Sequence, residues 1–247
     1  MMSNTFSKLS IQSLFVLTIF NFTLAGPPFN TDDPVPVDFH HWEYYIASSY
    51  QFGKHDDNAT LPHFEVNYGV VPNIQLHILA GMGYAKEAAK NEYGFMTAEL
   101  GFKYRFINDE ENNFQIGIFP LIELPTSSGE NIVGNKYLQT FFPVWIQKGW
   151  GKFTTYGGAG YWINPGENNQ NSVFIGWQAQ YDFTKTLSLG GEIYYESPDT
   201  KEDSNDVAFK AGGFINLNEE NHILFSIGHS FKNNDVVSGY LGYQLTI

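Results

Sequence analysis

The chain has 247 residues, with 26 Asp and Glu against 13 Lys and Arg; the formal charge is −13 and only 16% of residues are charged. That sign disfavours a nucleic-acid binder, which needs a basic surface against phosphates, and 17% aromatic with 43% hydrophobic content argues against disorder. Without cysteine, a disulfide scaffold, a Cys-ligated zinc site and a thiol nucleophile are excluded.

Lys8 is the only charge before Asp32. The apolar stretch Leu14–Phe20 follows it, then Phe22-Thr23-Leu24-Ala25. A basic start, a short apolar core and small residues at the end predict a secretory signal peptide over 1–25. No later apolar run approaches the roughly 20 residues of a transmembrane helix. Residues 26–37 contain Pro27, Pro28, Pro34 and Pro36, which bar them from a central ladder. They read either as a plug or gate centred on Thr31, Asp32 and Asp33, or as a plain leader.

Beyond residue 38 the dominant period is two. Leu241, Tyr243, Leu245 and Ile247 alternate with Gly242, Gln244 and Thr246; Val173-Ile175-Trp177-Ala179-Tyr181 runs against Gln178, Gln180 and Asp182. Such alternation marks strands with one apolar and one polar face. It predicts twelve strands, near 40–52, 63–71, 74–84, 93–107, 114–125, 136–148, 153–163, 171–183, 187–197, 206–217, 222–231 and 236–247. Short connections such as Val71-Pro72-Asn73 and Gly149-Trp150-Gly151-Lys152 alternate with longer polar ones around 53–62, 85–92, 126–135, 164–170 and 198–205. Short turns on one side and long loops on the other are the layout of an outer-membrane barrel. Tyr44, Trp145, Trp177 and Tyr243 are expected on the apolar face near strand ends, where a wet–dry boundary favours them. A soluble β-sandwich competes, but its outer face should be charged and its turns less regular. The expected fold is all-β: a transmembrane antiparallel up-and-down β-barrel of about 12 strands over 38–247.

The stretch Gly26-Pro27-Pro28-Phe29-Asn30-Thr31-Asp32-Asp33-Pro34, followed by His41-Trp42-Glu43, resembles the start of a bacterial family named for the MetA pathway of phenol degradation. Leu124-Pro125-Thr126 also resembles that family's pattern. The resemblance implies an outer-membrane barrel of a transporter kind, with a role in passing small, including aromatic, compounds. Ile247 departs from the terminal Phe or Trp common in such barrels.

If the apolar face meets lipid, the other face lines the lumen. The ionisable residues placed there by alternation are Glu43, Glu65, His77, Glu99, Lys103, Arg105, Glu123, Asp182, Glu192, Glu196 and Lys210, an acidic excess that biases an open lumen toward cations. On the lipid face a charge would cost about 2–4 kcal/mol near the midplane. The expected function is passive passage of small molecules through the outer membrane of a Gram-negative bacterium. A plugged structural or adhesive barrel is the first alternative; a lipid-modifying barrel hydrolase is the second, with His229 outward and Ser226 and Ser230 inward on one strand. No catalysis, cofactor or metal site is expected. The expected partners are outer-membrane lipid, lipopolysaccharide, the barrel-assembly machinery and an unnamed solute, with no nucleic acid. The acidic stretch Asp199, Glu202, Asp203, Asp206 reads as solvated loop charge, or as a place for divalent cations.

Overall fold

Alternation of period two gives each strand a face for lipid and a face for water, and only closure of the sheet leaves no unpaired edge within a bilayer. The computed structural model, which describes residues 27–53, 56–87, 90–127, 133–231 and 236–247, has this form. The predicted signal peptide lies outside the described residues. The first strands are β1 (Trp42–Phe52), β2 (Asp56–Val71), β3 (Ile74–Glu87), β4 (Lys90–Phe95) and β5 (Ala98–Asp109). Next come β6 (Phe114–Ile118), β7 (Leu121–Leu124), β8 (Gln139–Trp150), β9 (Phe153–Ile163) and β10 (Ser172–Asp182). The chain ends with β11 (Leu187–Glu196), β12 (Asp206–Asn216), β13 (Asn221–Ser230) and β14 (Val237–Thr246).

Every pairing between these strands is antiparallel, and β1 closes onto β14 from Glu43↔Thr246 to Phe52↔Val237. Strands β4 and β5 both pair with β3, and β6 and β7 both lie between β5 and β8. Each of these pairs is one interrupted stave, so the barrel has twelve. The second break falls at Phe119-Pro120, where proline has no N–H to give to the ladder. With about 4.8 Å between strands and a tilt near 40°, twelve staves enclose a backbone cylinder roughly 24 Å across. Side chains from both walls reduce that to about the width of one extended polypeptide.

The outward face carries Ile46, Phe64, Ile78, Val144, Ile175, Trp177, Ile193, Ile227 and Leu241, all exposed. Aromatic residues ring both ends of this band. Trp42, Trp150, Phe153, Tyr181, Phe183 and Tyr243 lie at the end with the short turns; Phe52, Tyr93, Phe95, Tyr161 and Phe231 lie at the loop end. The inward face is polar over much of its area, and Gln75, Gln147, Gln178, Gln180 and Gln244 are buried there.

Three expectations need correction. Trp145 is inside the barrel, 2% exposed, whereas Trp177 is 50% exposed. In β8 both faces are apolar, so alternation does not assign them; Phe142, Val144 and Trp150 take the outward parity. Next, the loops expected at 53–62 and 85–92 are mostly strand. Asp57 pairs with Lys86 in register and through a 3.2 Å ion pair, because strands that rise beyond the apolar band need no apolar face. Finally, the turn expected at 149–152 shrinks to Gly151-Lys152, with Gly151 at φ +62°, a backbone region where a side chain is strained.

Candidate functional site

The proline-rich segment lies inside the barrel. It enters at the turn end, where Phe39 bridges Gly69 in parallel and the His40 amide donates to the Gly69 carbonyl at 2.8 Å. The approach is close: a Cβ on Gly69 would lie 2.0 Å from the Asp38 carbonyl oxygen. Further in, the Val37 amide donates to Gln75 Oε1 at 2.8 Å. Thr31 and Asp33 are fully buried.

Two clamps hold the segment at mid-height. On β5, Lys103 Nζ donates to Asp32 Oδ1 at 2.9 Å and lies 3.9 Å from Asp33 Oδ2. On β11, the Glu192 carboxylate accepts the backbone amides of Asn30 and Thr31, each at 2.8 Å. Lys210 Nζ donates to Asn30 Oδ1, and Ser226 Oγ to the Pro28 carbonyl at 2.7 Å. Counting round the wall, Lys103 is on the fourth stave and Glu192 on the ninth of twelve, so the clamps pull from nearly opposite sides. Thr31 rests on Gly176, where a Cβ would lie 2.2 Å from Thr31 Oγ1.

The other residues singled out in the sequence fall into separate groups. Glu65, His77 and Glu99 form one network with Asn67. His77 Nδ1 is 2.8 Å from Asn67 Oδ1 and Nε2 is 2.8 Å from Glu99 Oε1, while Asn67 Nδ2 donates to Glu65 Oε1 at 2.7 Å. Both imidazole nitrogens meet acceptors, an arrangement that the doubly protonated ring satisfies. Glu192 and Lys210 face each other in register across β11 and β12. Arg105 lies toward the turn end, forked onto Asn73 Oδ1 (3.0 and 2.8 Å) and Gln115 Oε1 (2.9 Å). Asp182, at the same end, accepts from Ser188 Oγ at 2.6 Å. Glu123 is at the loop end and accepts from Asn135 Nδ2. Glu43 accepts from Tyr45 OH at 2.9 Å.

Sequence reasoning missed an aromatic wall within the lumen. Phe119, Phe141, Trp145, Phe174 and Tyr194 form one buried cluster, with Trp162 packed against it. Phe141 stacks on Trp162 with centroids 4.6 Å apart, and Trp145 meets Phe174 edge-on at 6.0 Å. The available signal was the run Gly157-Gly158-Ala159-Gly160 on β9. A Cβ at Gly160 would lie 2.2 Å from the Phe141 ring, and one at Gly158, which pairs with Trp145, would meet the Val144 carbonyl oxygen at 1.9 Å and the indole at 2.8 Å.

At the loop end the lumen opens into two joined hollows of about 460 and 620 Å³, which share Glu123, Asn135, Gln51, Asn58 and Ser238. Pro27, Pro28, Phe29 and Asn30 border the larger one. On the outer wall, His229 packs against Phe209 and Phe231. Ser226 and Ser230 point the other way, toward Pro28 and Asp206, so the wall separates this histidine from both hydroxyls.

These features define a closed twelve-stave barrel of the outer-membrane type, carrying its own N-terminal segment in its lumen. Solved structures share the fold. An outer membrane channel from Pseudomonas putida F1 matches with a TM-score of 0.73 at 10% identity, over 87% of this chain and 98% of that one. The KdgM porin matches at 0.58 and 10% identity (81% and 98% covered), and the NanC porin at 0.57 and 10% (82% and 98%). At such identities what is shared is the fold. No family model and no curated protein matches the chain.

Proposed function

We propose that this protein is a channel of a Gram-negative outer membrane, closed in this state by residues 27–37 and opened when they leave the lumen. The observation that carries the reading is the double clamp, Lys103 on Asp32 and Glu192 on the Asn30 and Thr31 amides, reaching from opposite walls. Polar bonds of this kind are reversible, since lumen water can replace each of them. The pore would be lined by Glu65, His77, Glu99, Lys103, Arg105, Glu123, Asp182, Glu192 and Lys210, and gated by Thr31, Asp32 and Asp33. Five acids against three fixed bases favour cations, counting His77 on neither side. Small solutes with aromatic bodies fit the wall of rings from Trp162 to Tyr194, in keeping with the motif resemblance to the phenol-degradation family.

In such a membrane the short turns face the periplasm and the two aromatic girdles contact lipid and lipopolysaccharide. The alternating last strand is the segment that the barrel-assembly machinery would engage. We assign no catalysis; the separation of His229 from Ser226 and Ser230 supports this. A second reading, a permanently plugged structural or adhesive barrel, draws on the full burial of Thr31 and Asp33. Planar-bilayer recording of the intact protein and of a 27–37 deletion decides between them. We expect rare openings from the intact protein and steady conductance from the deletion, with a retained heat-modifiable band certifying the barrel. Identical traces would refute the gate, and silence from both would refute the channel.

A further inference from the structure

We infer that the open lumen is a binding track for short extended peptides with an acidic residue, and that residues 27–37 are a resident copy of such a solute. The inference rests on the channel reading and adds to it a class of solute. What holds the segment is directed mostly at its main chain. Glu192 accepts the consecutive amides of Asn30 and Thr31 at 2.8 Å each, and Gln75 Oε1 accepts the Val37 amide at 2.8 Å. Ser226 Oγ donates to the Pro28 carbonyl at 2.7 Å. Any peptide carries these groups. Side-chain recognition falls to Lys103, which donates to Asp32 at 2.9 Å, and to Lys210 on Asn30. All five wall residues are buried. Where main-chain bonds hold an extended chain and single side chains select it, affinity is open to many sequences and specificity sits at one or two positions.

Two further observations fit a peptide better than a simple carboxylic acid or amine. First, the wall groups follow peptide order. Ser226 on β13 meets a carbonyl, Glu192 on β11 two amides, Lys103 on β5 a carboxylate and Gln75 on β3 another amide. A compact solute reaches one of these stations; a chain reaches them together. Second, the wall gives way along the chain's path. A Cβ on Gly176 would lie 2.2 Å from Thr31 Oγ1, and one on Gly117 would lie 3.0 Å from Pro34 Cβ. The acidic excess of the lumen is no obstacle, because N–H groups need carboxylate and amide oxygens, and Lys103 meets the acid. When the segment leaves, these buried groups still need partners, which water or a peptide supplies. Residues 38–41 tie the segment to β1, and a short tether sets a local concentration on the order of mM. A free peptide therefore competes poorly with the docked segment and binds the released form.

The test is calorimetric titration, in detergent, of the full-length Asn30→Pro/Asp32→Lys variant. Its own segment has lost one donor to Glu192 and sets a cation against Lys103. Four peptides are compared. One has the native sequence of residues 27–37. The second, acetyl-Ser-Ala-Ser-Ala-Asp-Ser-Ala-amide, is unrelated apart from its acid. The third replaces that Asp by Asn, and the fourth N-methylates the two residues before it. The unrelated acidic peptide is expected to bind at least tenfold more tightly than its Asn and N-methylated forms. Adding Lys103→Met should bring the preference for Asp over Asn below threefold. Adding Glu192→Gln should lower the preference over the N-methylated form at least threefold, with a heat-modifiable band showing each variant folded. Binding by the native sequence alone would overturn the inference and make the lumen a seat for its own plug only. So would equal binding of the Asp and Asn peptides, preferences unchanged in the wall variants, or no binding by any peptide. Calorimetry needs no conduction: a silent bilayer counts against the channel, and the peptide affinities count for or against the track.

Discussion

Replacing Glu192 by Gln removes a charge without removing volume, which isolates one clamp on the segment. The carboxylate accepts two backbone amides, from Asn30 and Thr31, at 2.8 Å each, and hydrogen bonds to a charged group each contribute about 1.5–3 kcal/mol net. Glutamine keeps one carbonyl oxygen for one of those amides and turns its own NH₂ toward the other, donor against donor. The docked state should therefore lose about 2–3 kcal/mol relative to the released one. At about 1.4 kcal/mol per tenfold, that is roughly a 30- to 150-fold larger released fraction. The chain has no cysteine, so a single Thr31→Cys change gives a clean reporter at a position fully buried when docked. Labelling of that thiol by a membrane-impermeant maleimide, with Glu192 intact and with Glu192→Gln added, measures the ratio of released fractions. A ratio within threefold of unity, with both barrels folded, would refute the clamp.

A bulkier residue at 176 should act without touching any charge. The Cβ position there is 2.2 Å from Thr31 Oγ1, so Gly176→Leu should displace the segment and raise open probability in bilayers; unchanged gating would show that the contact is not needed for closure. Because the segment carries Asp32 and Asp33, its exit toward the turn side should be favoured when that side is positive, at up to about 2.3 kcal/mol per charge per 100 mV across the full field. Asp32→Asn should flatten the voltage dependence even as it raises opening overall, and an identical slope would refute this. Brominated lipid should quench Trp177 in a protein lacking the other tryptophans and spare Trp145 in the matching variant. Trp145→Ala, which empties a buried site inside the barrel, should cost about 3–5 kcal/mol in urea unfolding.

The stave pattern was legible because bilayer and lumen impose the simplest of periods, and strands such as β10 and β14 display it clearly, with Phe174 and Tyr240 as their large apolar residues on the inward face. The parity of Glu65, Glu99, Lys103 and Glu192 followed from the same alternation. Legibility ended where that contrast ended. In β8 the lumen is lined by Phe141 and Trp145, so inward and outward residues look alike, and only the glycines of β9 hint at rings packed opposite. The extended hairpin of β2 and β3 was hidden because, beyond the apolar band, paired backbone places few demands on side chains; Asp57 and Lys86 read equally well as loop. The contacts of the proline-rich segment were hidden for another reason. They join residues 71 and 162 positions apart, Asp32 to Lys103 and Asn30 to Glu192, and no local pattern encodes a partner at that distance.

The place of that segment also sets a condition on the order of assembly. Residues 27–37 precede β1, and β1 is the stave that closes the cylinder against β14. The wall must therefore zip shut around a strand-width of chain already lying in its interior, or residues 27–37 must enter through the turn-side mouth once the seam is sealed. In the first case Lys103 and Glu192 collect the segment while the sheet is still open, and it serves as the mandrel on which the cylinder is wound. In the second, the newly closed barrel passes through an empty form before the segment docks.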